Sequence, residues 1–229
     1  MAAASMRTRP VIRALLAVAA AILVCAAIRA ADDVDVWTFD RLDRIGGHQT
    51  EVLGHPRVID TPLGKAIAFN GVDDAIFVGV HPLAGAETFT WEAIFRPDGG
   101  QPAQRWFHLQ EDGTENRLLF EIRRVEGNWY LDSYGHSGEA QQALMNRERL
   151  HPLGAWYHVA AVYDGREFRN YVNGVQEGAA AIHFAPQKAG RSSIGVRINK
   201  VDYFNGAIHL ARFTRRALAP SEFLKIPAR

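Results

Sequence analysis

Cysteine is nearly absent: the 229 residues hold one, Cys25, and it lies in the N-terminal segment. Everything downstream is therefore closed to a disulfide framework, a thiolate metal cluster and a cysteine nucleophile. Basic charge is not in excess either. Lys and Arg number 26 against 25 Asp and Glu, which gives no field for nucleic acid or anionic lipid. No Gly-x-Ser-x-Gly elbow, His-Glu-x-x-His pair or phosphate loop occurs, so the common hydrolase, zinc-protease and nucleotide signatures are missing. No segment sets apolar residues at helical spacing over three turns, which excludes a helical bundle. Linkers, low-complexity tracts and internal repeats are also lacking, and one domain is the default.

What is present begins with Arg7, Arg9 and Arg13 ahead of an uncharged run from Ala14 to Ile28, followed by Arg29-Ala30-Ala31. That basic, apolar, small-residue order is a secretory signal. The run is shorter than the roughly 20 residues that span a bilayer, so cleavage near Ala30 is expected over a retained signal anchor. Val24 stands where a lipidation signal ahead of Cys25 would carry a small residue. Residues 1–30 are thus read as signal and 31–229 as the exported domain, periplasmic, cell-surface or extracellular. Losing four arginines and no acid turns the formal charge from +1 to −3. With 48% hydrophobic residues, the chain has enough apolar material for a full core without disulfides.

From Val34 onward, short runs of β-branched, aromatic and aliphatic residues are cut by Asn70-Gly71, Asp112-Gly113, Asp164-Gly165, Asn173-Gly174 and Asn205-Gly206. Such pairs tolerate the positive φ of tight hairpin turns. Trp91 to Arg96 and His158 to Tyr163 alternate, with apolar groups on both faces, as in a two-layer sandwich. A short helix is expected at Pro220, and Gly138 to His151, rich in Gln, Asn and Arg, reads as a long surface connection.

Three stretches, Gly64 to Val78, Trp156 to Gly174 and Phe204 to Leu218, together resemble the laminin G-like domains of the concanavalin A-like lectin/glucanase superfamily. The match runs from about Ala66 to Phe223. The resemblance implies an all-β jelly-roll sandwich of two curved antiparallel sheets, a fold used by secreted glycan or protein binders and by some polysaccharide hydrolases. Three departures stand out: Ile94 where the family carries a Trp, with Trp91 three positions earlier; His209-Leu210 in place of an acidic pair; and Ala219 in place of a hydroxyl cap before Pro220. The resemblance also implies calcium at the sandwich rim. Asp73 and Asp74 are the positional candidates, although Asp73 can equally order its own turn. No cofactor is required.

Glycosidases of this fold place two or three carboxylates on one strand at period two, and the closest string here, Glu111-Asp112-Gly113-Thr114-Glu115, is broken by a turn. The nine histidines are scattered, without metal-ligand spacing. If Phe107, Leu109, Phe120, Ile122, Trp129 and Leu131 point inward, alternation exposes Trp106, His108, Glu121, Arg123, Tyr130, Asp132 and Tyr134 on the other face. Flat aromatics among hydrogen-bonding groups suit sugar rings, and the same mixture suits a protein interface. The expectation is a non-catalytic module for extracellular or cell-wall polysaccharide or glycoprotein glycan, with Trp106, His108, Tyr130, Asp132 and Tyr134 as contacts. The alternatives are an adhesion domain meeting another extracellular protein and, behind it, a hydrolase with an unrecognised site.

Overall fold

The computed structural model describes residues 33–226. The signal segment read from the sequence lies outside them. In chain order the strands are β1 (Val34–Thr38), β2 (Arg44–Ile45), β3 (His48–Leu53), β4 (Arg57–Thr61), β5 (Gly64–Asn70), β6 (Ala75–Val78), β7 (Phe89–Pro97), β8 (Ala103–Glu111) and β9 (Arg117–Val125). They continue with β10 (Asn128–Ser137), β11 (Ala140–Met145), β12 (His151–Pro152), β13 (Tyr157–Tyr163), β14 (Glu167–Val172), β15 (Val175–Ala181), β16 (Gly190–Ile194) and β17 (Asn205–Thr214). One sheet of eight runs β15-β14-β13-β7-β17-β5-β4, with β1 also on β17. The other, of nine, runs β11-β10-β9-β8-β16-β6-β3-β2, with β12 also on β10. The chain is thus the expected all-β antiparallel jelly-roll sandwich.

Alternation explains the core. Phe89, Trp91, Ala93 and Phe95 of β7 and Tyr157, Val159, Ala161 and Tyr163 of β13 face the other sheet, where Phe107, Leu109, Leu118, Phe120, Ile122, Trp129 and Leu131 meet them. Trp91 lies in this core, its ring edge-on to Phe107 at 5.1 Å and 4.1 Å from the Phe120 ring, whereas Ile94, of opposite parity, points to the other face of β7.

Strand β8 breaks the alternation. Its register with β9 shifts between Arg105 and Phe107, a β-bulge that turns both Trp106 and Phe107 inward. Trp106, read from the sequence as an outward ligand contact, is instead fully buried. It stacks on Phe95 (4.3 Å, 4°) and on Phe120 (5.3 Å, 8°). Arg105 takes the outward place that plain alternation assigns to Trp106.

Turn chemistry divides. Asp112-Gly113, Asp164-Gly165 and Asn173-Gly174 do lie in hairpin connections, and both Asn173 (φ 48°) and Gly174 (φ 79°) adopt the left-handed conformation. Asn70-Gly71 and Asn205-Gly206 do not. The first carries the chain from β5 of one sheet to β6 of the other, and the second opens β17, where Asn205 pairs with Asn70. Gly206 is glycine for want of room: a Cβ would lie 2.2 Å from the Arg96 carbonyl oxygen and 2.4 Å from the Phe204 ring.

Two further expectations are corrected. The polar stretch after Gly138 is no open connection, since β11 turns back at Gly138 and pairs with β10 from Ser137↔Ala140 to Asp132↔Met145. Buried Leu144 supplies the apolar side that its polar composition hid. The C-terminal helix shrinks to a single 3-10 turn, Pro220–Glu222, in which the Ala219 N–H donates to the Glu222 carboxylate at 2.9 Å. This C-terminal segment packs on part of the outer face of the eight-stranded sheet, setting Leu218 and Phe223 on Ala160, Val162 and Tyr171 of β13 and β14. It is fastened at the fully buried Glu92, which accepts from the Leu224 N–H (2.7 Å), His158 (3.0 Å) and Arg212 (2.6 Å).

Trp106→Ala is expected to lower unfolding stability by about 3–5 kcal/mol, the range for an aromatic removed from a packed core, in urea unfolding followed by fluorescence. A loss under about 1 kcal/mol would show that the ring is not held between the sheets.

Candidate functional site

A depression of about 420 Å³ lies beside the C-terminal segment, lined by His158, Asn173, Pro220 and Phe223, but it is the outer face of the nine-stranded sheet that gathers charged side chains around an opening. Registers order its side chains into rows across the strands. Arg105, Glu121, Asp132 and Met145 form one row, and His108, Leu119, Tyr134 and Ala143 the next. A depression of about 260 Å³ opens over them, lined also by Arg117, Arg123 and Arg197.

Its floor is ionic. Glu121 and Asp132 stand directly opposite each other on β9 and β10, and one Arg123 nitrogen bridges them at 2.9 and 2.8 Å. Arg105 holds the other Glu121 oxygen at 3.1 Å and pairs with Asp202 on its far side. Burial raises both carboxyls above their ordinary range. For Glu121 the Asp132 charge adds to this while Arg105 and Arg123 oppose it, and for Asp132 the bond from Arg123 opposes it. Asp132 is 2% exposed and leaves its Oδ1 without a partner among the described residues.

The wall is built by the loop after β16. Gly195 donates to the Trp106 carbonyl (2.8 Å), Arg197 and Lys200 close a turn, and Arg105 N–H donates to the Asp202 carbonyl (2.9 Å). Ile198 N–H donates to His108 Nδ1 at 3.0 Å. The loop therefore lies on the sheet and projects Arg197 into the depression. Opposite, the Tyr134 ring carries the Arg117 guanidinium at 5.0 Å and its hydroxyl donates to Gln141 at 2.7 Å. On the other side of the loop the same face holds a second depression, of about 460 Å³, lined by Gln49, Glu51, Phe77, Arg191 and Lys200.

Of the five contacts read from the sequence, the structure brings Asp132 and Tyr134 together at the depression. Trp106 is in the core. His108 faces the right way but is 0% exposed beneath Ile198, so no ligand reaches it. Tyr130 shares the face, opposite Arg123, buried and outside the lining. Arg105, Arg117 and Arg197 were missed. The bulge hides the first, and no local pattern announces that a turn remote from β9 and β10 delivers Arg197 to them.

Asp73 and Asp74 lie elsewhere, on the β5–β6 connection. Asp74 accepts from the N–H groups of His55 (2.6 Å) and Asn70 (2.9 Å), one on each oxygen, and Asp73 accepts from Asn70 Nδ2 at 2.7 Å. Among the described residues no three His, Cys, Asp or Glu side chains converge as a metal site would need.

Comparison with known proteins agrees with the architecture. A family model described as the concanavalin A-like lectin/glucanases superfamily matches residues 70–223. The chain belongs to that superfamily. Domain 4 of AbnA, an extracellular GH43 arabinanase from Geobacillus stearothermophilus solved with arabinotriose, is 21% identical over 82% of this chain and 94% of that one (TM-score 0.63). The binding domain of Paraclostridial Mosquitocidal Protein 1 is 14% identical (TM-score 0.60, 83% of this chain). The binding domain of botulinum neurotoxin serotype D is 11% identical (TM-score 0.58, 85%). The match spans about half the length of each of these last two chains. A search of curated proteins finds no match.

Burial first, then Arg197, Arg117 and other cations, holds His108 well below the ordinary histidine value. The unfolded chain therefore binds the proton more readily, so this contribution to stability is whole above about pH 6.5 and shrinks as pH falls. His108→Gln is expected to flatten the decline of unfolding stability between about pH 7 and 5 in a urea series. His81, also held low by burial, leaves a residual slope.

Proposed function

We propose that the protein is an exported, non-catalytic binding module that holds carbohydrate in the depression on the outer face of its nine-stranded sheet. The observation that carries this is Asp132: it lines an open depression, its Oδ2 is fixed by Arg123, and its Oδ1, buried from solvent, has no partner among the described residues. An unpaired buried acceptor is costly, and a donor hydroxyl from a ligand relieves that cost. Tyr134 beside it gives an aromatic flank, and the Arg117 fork gives donors for ring and hydroxyl oxygens. That pairing of a flat apolar surface with fixed donors and acceptors is what a sugar presents in complement.

A non-catalytic reading is supported by how the carboxyls are held. A retaining glycosidase needs its two carboxyls about 5 Å apart across the scissile bond, one of them free to give a proton. Glu121 and Asp132 are instead bridged by one arginine nitrogen. Export is supported by the N-terminal signal pattern, and no helix of the described residues is long and apolar enough to cross a membrane. In this reading Asp73 and Asp74 serve their own turn, and neither calcium nor a chelator moves the unfolding midpoint.

Pull-down on insoluble polysaccharides, followed by calorimetry on the soluble oligosaccharide of whichever is bound, tests the proposal. Asp132→Asn and Tyr134→Ala are each expected to weaken binding by roughly 5- to 150-fold, the effect of one lost contact of about 1–3 kcal/mol. The partly exposed Tyr134 keeps the test independent of folding. Unchanged affinity in Tyr134→Ala, with an intact unfolding midpoint, would move the site elsewhere.

A further inference from the structure

We propose that the saccharide taken by this depression is acidic, a uronate or similar carboxylate-bearing unit whose anion is seated by Arg197 and Arg117 while Asp132 takes a hydroxyl. This rests on the carbohydrate reading above and names its ligand class. The reason is an imbalance among the four guanidinium groups. Arg105 and Arg123 are committed to Glu121, Asp132 and Asp202. Arg117 has Glu115 as its one carboxylate partner among the described residues, with a side chain 75% exposed and screened by water; it also donates to the Glu115 carbonyl (2.7 Å) and the Tyr134 hydroxyl (3.4 Å), while its buried Nε donates to nothing. Arg197 has no carboxylate partner among the described residues, yet it is only partly exposed and lines the depression.

An arginine fork matches a carboxylate in plane and can bond it through two N–H groups, which a neutral hydroxymethyl cannot reproduce. Preorganisation favours the same conclusion. The turn that carries Arg197 is tied to the sheet through His108, Arg105 and the Trp106 carbonyl, so little ordering remains for a ligand to impose. Burial, followed by the charges of Arg105 and Arg117, pushes the Arg197 guanidinium below its usual value, as expected where positive charge is locally uncompensated. An anion at this position relieves that field.

Calorimetry on the purified protein distinguishes the outcomes, with tetrasaccharides of galacturonate, mannuronate and glucuronate, each against its carboxyl-reduced neutral counterpart. At low salt at least one uronate is expected to bind roughly tenfold more tightly than its reduced form, the scale of one charge-assisted contact. That advantage should shrink as salt is added. Arg197→Gln is expected to abolish the difference between the two forms and Arg197→Lys to restore part of it, with the unfolding midpoint unchanged in both. Neutral forms binding as tightly as the uronates, or a preference that survives Arg197→Gln, would overturn acidic specificity and leave the carbohydrate reading standing. Binding of neither form across the set would remove both.

Discussion

The β-bulge at Trp106 is the constraint on which the candidate site depends. Two consecutive inward residues, Trp106 and Phe107, reverse the parity of β8 on either side, so Arg105 and His108 both face outward. One side of the sheet gains an aromatic ring stacked between Phe95 and Phe120, and the other gains a guanidinium. Without that exchange Glu121 would face an indole and Asp202 would lose its partner. Two buried, opposed carboxyls would then share Arg123 alone, an arrangement that burial and mutual repulsion make costly. The core and the face are therefore built by the same extra residue.

The ionic floor has a second consequence. Asp132 and Glu121 are kept in place by arginines that are themselves anchored, Arg105 by the Asp202 turn and Arg123 by lying across both acids. A carboxylate so held keeps its remaining oxygen at a fixed position, so the proposed ligand would meet a rigid acceptor in place of a rotamer it must first select. The Arg197 turn is rigid for a related reason. His108, buried and neutral, accepts the Ile198 N–H, so a residue that no ligand touches determines where a residue lining the depression stands.

The fold was legible because its signals are local. Asn173-Gly174, Asp164-Gly165 and the alternation in β13 announce a hairpin that forms as read, and the resemblance over Ala66 to Phe223 agrees with the family match over 70–223. Asn205-Gly206 shows the limit of such reading. The same dipeptide serves a turn in one place and, in another, the close approach of a strand to the Arg96 carbonyl. The site was legible only in part. Asp132 and Tyr134 follow from period-two alternation on an unbroken strand. Trp106 failed because a bulge adds a residue without changing composition, and β11 was missed because pairing to β10, not its own polar residues, makes it a strand. Arg197 depends on tertiary placement of a turn, which no spacing in the chain encodes.

The two broad faces of the sandwich differ in how their buried charges are satisfied. On the eight-stranded side Glu92 is also buried, yet its carboxylate is satisfied by His158, Arg212 and the Leu224 N–H, and the C-terminal segment closes over it. On the nine-stranded side the corresponding polar network is left incomplete, with Asp132 Oδ1 and Arg117 Nε unpaired beneath an open depression. Buried polar groups in folded proteins are normally satisfied, and Asp132 and Arg117 differ from the equally unpaired Nε1 atoms of Trp91, Trp106 and Trp129 in that their residues line an open depression where a partner can approach. The partner must both donate to a carboxylate and accept from a guanidinium, which water, a protein side chain and a sugar can all do. Tyr134, with its ring beside that pair, is what favours the sugar.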